Sequence, residues 1–241
     1  MAELFTVENL IALLTLTSLE VVLGIDNIVF IAIITGRLPQ EHQRSTRQLG
    51  LVLAMGMRIL LLLAIKWVMQ LTTPLVTLLG QGFSGRDLIL GIGGAFLIAK
   101  ATLEIHERTE HAHGAHPGAP KKKAMSKGSA IAQILALDLV FSLDSVITAV
   151  GMAKRIEVMI AAVVIAVVVM LIFAGRVSSY IEHHPAIKML ALSFLLLIGV
   201  MLVAESFGQH VEHGYIYFAM AFSLGVELLN QRASRRHGAH A

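Results

Sequence analysis

The chain has 241 residues, 56% hydrophobic and only 15% charged, with a mean hydropathy of +0.76 and a formal net charge of +3. A soluble domain of this length carries far more surface charge, so the composition excludes one. The absence of cysteine excludes disulfides, thiolate metal sites and thiol catalysis, leaving oxygen ligands and imidazole.

The first apolar run, 10–35, is too long for a signal peptide, and nothing resembling a cleavage site follows it. It contains EVVLGIDN, residues 20–27, which puts two carboxylates and an amide where lipid is expected. Apolar runs at 49–69 and 87–103 follow, and then a polar linker, 106–128, containing HAHGAHPGAPKKK. Four more runs occupy 129–152, 157–176, 187–207 and 214–230. About 20 apolar residues cross a ~30 Å hydrocarbon core, so the reading is an all-α membrane protein with seven transmembrane helices. Its first partner is therefore the lipid bilayer. The basic residues gather at helix ends, which argues against nucleic acid as a partner.

Arg37, Arg44, Arg47, Arg108, the lysines at 121–123, Arg176, Lys188 and Arg232 fall on one side of the membrane. Arg86, Lys154 and Arg155 fall on the other. The positive-inside rule then places the N-terminus outside and the C-terminus in the cytoplasm.

After the linker, DLVFSLDS (138–145) repeats the layout of the first motif. Glu20 matches Asp138, Gly24 matches Ser142, Asp26 matches Asp144 and Asn27 matches Ser145, each 118 positions apart. A weaker match pairs GAFLIAK (94–100) with GVMLVAE (199–205). Three helices precede the linker, so the second set enters the membrane upside down. The domain reading is a three-helix repeat at 1–105, a cytoplasmic His/Lys-rich linker at 106–128, an inverted repeat at 129–213, and an added seventh helix with a basic tail at 214–241. Inverted repeats with polar residues in matched helices mark transporters, with the site near the midplane.

An ionised side chain at the bilayer centre costs ~2.5–3.5 kcal/mol, so four uncompensated carboxylates would cost on the order of 10 kcal/mol. A cation, a proton or Arg58, which lies deep in the second helix, must offset that. Glu20 and Asp26 are six residues apart and point ~120° apart on one helix. Gly24 and Ser142 are accordingly expected to break or bend the two helices and free carbonyl oxygens. Glu20, Asp26, Asn27, Asp138, Asp144 and Ser145 then form an oxygen-rich set suited to Mg, Ca or Mn. Structural ion pairing of these acids is the plainer alternative, and Arg58 is read either as a strut or as an internal counter-ion.

Glu205 and Glu227 are weaker candidates along the pathway. His106, His111, His113 and His116 make a weak accessory metal tract, and a solvated flexible linker is the better account of them. There is no Ser–His–Asp arrangement, phosphate loop or nucleotide motif, so neither an enzyme nor an organic cofactor is expected.

E-x-x-L-G-I-D-N, D-x-x-F-S-L-D-S and GYIYFAMAFSLGVELLN near the end resemble the TerC family, within the LysE transporter superfamily. The likeness runs from about Asn9 to Asn230 and implies a seven-helix bacterial inner-membrane protein. For characterised members it implies manganese efflux, with the acidic motif residues at the site. It also carries links to tellurite response and to metal supply for exported enzymes. Homo-oligomerisation is compatible with all of this. The expected function is export of a divalent cation, manganese first, with proton exchange as the energy source. The alternatives are export of a small organic cation such as a basic amino acid, or a membrane metal-binding scaffold.

Overall fold

Thr6 opens α1 (Val7–Thr35): its hydroxyl accepts the Asn9 N–H at 3.3 Å, and Glu8 complements the dipole in the first turn. The computed structural model describes residues 6–78, 81–112, 125–152, 155–209 and 213–237, without the side chains of 25, 26, 76, 78, 81, 110–112, 144, 151, 152, 213 and 233–237. α2 (Gln40–Leu63) follows Pro39 and buries Thr46, Gly50, Ala54, Arg58 and Leu62. That every-fourth-residue stripe puts one narrow face inward, with Arg58 on it.

The chain bends at Ala64 into a short α3 (Ile65–Gln70) and an antiparallel hairpin, β1 (Pro74–Leu78) with β2 (Gln81–Ser84). The elements are otherwise all helical, as expected, and this hairpin is the exception among the described residues. Its signal is a β-branched stretch bounded by Pro74 and two glycines, too short to register against the helical runs. Ser84 and Asp87 then cap α4 (Gly85–Ala112) reciprocally. The Ser84 hydroxyl accepts the Asp87 N–H at 3.2 Å, and Asp87 accepts the Ser84 N–H at 2.9 Å.

α4 runs on to Ala112, well past residue 103, because no glycine or proline interrupts it there and Glu104 pairs with Arg108 one turn on. His106, expected in a free linker, therefore stands on a helix. α5 (Lys127–Met152) and α6 (Ile156–His183) follow, and Pro185 in the first turn opens α7 (Pro185–Ser206). α7 stops where Gly208 adopts φ 76° and its N–H reaches the Glu205 carbonyl. α8 (His213–His237) is the last described element.

Among the described residues, six helices are long and apolar enough to cross a membrane: α1, α2, α4, α5, α6 and α7. α8 coincides with the expected seventh helix but mixes polar with apolar residues and is not among the six. Leu14, Leu60, Trp67, Ile92, Ile172 and Phe222 all stand exposed on outer faces, as lipid contact requires. Within the bundle, α4 packs along α7, α1 along α6, and α2 against both α5 and α6. Leu16, Ile34, Leu97, Ile134, Leu137 and Leu192 fill the core between them. The α4–α7 crossing is backbone on backbone. A Cβ on Gly94 would sit 2.7 Å from the Gly199 carbonyl oxygen, and one on Gly199 would sit 2.9 Å from that of Gly94.

Candidate functional site

α1 and α5 both run without interruption through Gly24 and Ser142, so the helix breaks expected there are not formed. Each residue has another use. Gly24 lets the Met170 side chain of α6 press against the α1 backbone. Ser142 is fully buried, and its hydroxyl joins a hydrogen-bonded cluster instead of loosening its helix.

That cluster centres on Arg58, which is 3% exposed. Its Nη1 donates to Glu20 Oε2, its Nη2 to Asp138 Oδ1 at 3.3 Å, and its Nε to the Ser142 hydroxyl at 2.9 Å. The Ser142 hydroxyl in turn donates to Asp138 Oδ2 at 3.1 Å. One guanidinium thus holds the first acid of both motifs, from α1 and α5. The fork suits arginine, whose planar donors serve two carboxylates at once.

Asn27, on α1, donates through Nδ2 to Asp138 Oδ1 at 3.4 Å. Its counterpart Ser145, on α5, is buried and donates to the Ser142 carbonyl oxygen at 3.4 Å. A cavity of about 20 Å³, room for a single water or small ion, opens beside Asn27, Arg58, Asp138 and Met170.

The side chains of Asp26 and Asp144 lie outside the described residues, although both positions are on the same helices. Among the described residues, no group of three His, Asp or Glu side chains is placed to hold a metal ion. In the arrangement seen, the guanidinium occupies the space between Glu20 and Asp138.

The weaker candidates lie elsewhere. Glu205 is buried at the far end of α7, with its Oε2 3.9 Å from Arg86 Nη2. Glu227 accepts from Gln231 Nε2 at 3.0 Å, and Gln231 accepts from Tyr180, so Glu227 belongs to the α6–α8 contact rather than the centre. His106 sits on α4, while the side chain of His111 and all of His113 and His116 lie outside the described residues.

Sequence reasoning missed Glu104. It is buried between Arg37 and Arg108, with Glu107 completing the group 3.3 Å from Arg37. The available signal was the Glu104–Arg108 spacing, four apart on a helix, with Arg37 just beyond α1 as a further cation.

Six membrane-length helices among the described residues, around a buried, ion-paired core, define an integral membrane protein whose polar centre is built by three of them, α1, α2 and α5. The chain belongs to the TerC family: the model described as "Integral membrane protein TerC family" matches residues 5–239. It is 53% identical over 228 residues to a UPF0053 protein of Haemophilus influenzae, covering 95% of both chains. The UPF0053 inner membrane protein YgdQ of Escherichia coli K12 is 54% identical over 220 residues, 91% of both chains. YoaE, another UPF0053 inner membrane protein of that strain, is 50% identical over 228 residues, which is 95% of this chain and 44% of that one. No solved structure gives a significant match.

Proposed function

We propose that this protein carries a divalent metal cation, manganese before others, out across the bacterial inner membrane in exchange for protons. The observation that carries the reading is the convergence of Glu20 and Asp138, matched members of two motifs, on one buried arginine. A purely structural ion pair needs one acid. Two acids sharing one cation leave a negative centre that a second cation completes.

A metal ion entering from the cavity would take carboxylate oxygens now held by Arg58, with Asp26, Asp144, Asn27 and Ser145 as further oxygen donors. Arg58 then acts as the internal counter-ion, retaking Glu20 and Asp138 as the ion leaves. Removing a divalent ion against an inside-negative potential costs ~4.6 kcal/mol per 100 mV, and each entering proton returns ~2.3. Two protons on the acids would offset the electrical work.

Several features support a LysE-type inverted repeat. Exchanging α1 with α5, α2 with α6 and α4 with α7 turns the α1–α6 packing into the α5–α2 packing and maps the α4–α7 contact onto itself. The reciprocal Gly94–Gly199 approach joins matched residues, as a two-fold axis demands. In this reading the N-terminus is outside, the C-terminus is cytoplasmic, and α8 is a seventh span.

Uptake into inverted vesicles, assayed across divalent ions and basic amino acids, tests the proposal. Manganese accumulation with alkalinisation of the lumen is expected. Uptake of a basic amino acid with no divalent flux, or metal binding with no flux at all, would replace this reading with a rival.

A further inference from the structure

The two matched motifs lie on matched stripes. On α1, Glu20, Gly24 and Asn27 stand at i, i+4 and i+7, and on α5 Asp138, Ser142 and Ser145 do the same. What touches the middle of each stripe is not the same. Arg58, from α2, bonds Ser142 at the middle of the α5 stripe. Met170, from α6, stands at the middle of the α1 stripe: a Cβ on Gly24 would come within 2.5 Å of its sulfur. One side of the centre meets a guanidinium and the other a thioether.

Met170 is 4% exposed and lines the same small cavity as Asn27, Arg58 and Asp138. Its sulfur is held one turn from Glu20 by the missing side chain of Gly24. We infer that the Met170 thioether is a specificity ligand of this centre, favouring ions with some affinity for sulfur over magnesium and calcium. The inference rests on the metal-transport reading above.

The chemistry is that of a mixed donor set. Carboxylate, amide and hydroxyl oxygens bind all hard divalent ions and discriminate mainly by size. A polarisable thioether adds little for magnesium or calcium and progressively more for manganese, iron and cadmium. Because the chain has no cysteine, any sulfur beside a bound ion comes from methionine. Met170 also fills space between helices, as methionines commonly do. Leucine keeps that volume and removes only the sulfur.

Full-length protein in proteoliposomes separates the cases, with manganese uptake measured against cadmium, magnesium and calcium as competitors. M170L is expected to fold and transport, with manganese affinity and cadmium inhibition each weakened about ten-fold or more and magnesium and calcium inhibition unchanged. G24A, which displaces the flexible end of Met170, should shift selectivity the same way. It remains informative where M170L fails to fold. M55L, at another methionine lining the cavity, should leave selectivity as in wild type. Wild-type discrimination in M170L and G24A, or the selectivity change appearing in M55L instead, overturns the assignment to Met170. Wild-type protein that moves no divalent ion overturns the transport reading itself and this inference with it.

Discussion

Two ionic clusters of similar composition sit at different depths in this protein and obey different energetics. In the centre, Arg58, Glu20 and Asp138 are each 7% exposed or less. At the junction of α1 and α4, the Arg37 side chain is 28% exposed and that of Glu107 34%, with only Glu104 deeply buried. In the first cluster desolvation dominates, so losing one partner strands a buried charge. In the second, water and salt screen the outer members, and only the buried acid has much at stake. Counting ion pairs would rank the two alike. Burial ranks them far apart.

The strongest way to break the contrast is Arg58→Ala. Two acids left without their cation should lower stability by about 3–5 kcal/mol, read as denaturant unfolding in detergent. Adding Glu20→Gln and Asp138→Asn should recover much of it. An Arg58→Ala protein as stable as wild type would place the centre on the same footing as the outer cluster.

If the proposed function is right, Asp26→Asn and Asp144→Asn should remove metal uptake from inserted protein while stability holds or rises, because an ionised acid at membrane depth carries a desolvation cost. Undiminished flux in either variant would remove that acid from the site.

At the other cluster, Glu104→Gln should cost about 1–3 kcal/mol, since it removes the buried charge and leaves one accepting oxygen for two arginines. Glu107→Gln should cost under about 1 kcal/mol, and the loss should fade between low and high salt. Equal losses for the two, independent of salt, would erase the distinction between buried and open members. Deleting 113–120, which follow α4 in the chain, is expected to leave the proposed transport intact. A well-expressed but inactive deletion would give the histidine tract a role in the cycle.

Much of the centre is legible in the sequence because charge inside an apolar run is costly and therefore conspicuous. Glu20, Asp138 and Arg58 stand out for that reason, and their depth along the helices suffices to bring them together. The helix breaks at Gly24 and Ser142 are a misreading with a definite cause: a small or polar residue between acids is equally a packing notch or a hydrogen-bonding group. Which of the two it serves depends on the neighbour that tertiary packing delivers. Met170 is silent in sequence, being one apolar residue in a helix of apolar residues, and only its approach to Gly24 distinguishes it. Glu104 is missed for the opposite reason, since a charge near a helix end needs no special account until its burial is known. The hairpin after α3 is too short to compete with the helical signal around it.

The position of Arg58 along the chain sets a timetable for synthesis. Glu20 enters the membrane first and precedes its cation by 38 residues, which at about 5–20 residues per second is a delay of roughly 2–8 s. Asp138 follows Arg58 by 80 residues and meets a guanidinium already in place. The nascent chain therefore passes through an interval in which Glu20 waits for its cation, but none in which Glu20 and Asp138 wait together. An arginine supplied by α6 instead would emerge after both Glu20 and Asp138. It would leave both acids waiting in the bilayer, so the order of emergence from the ribosome favours the half in which the arginine stands.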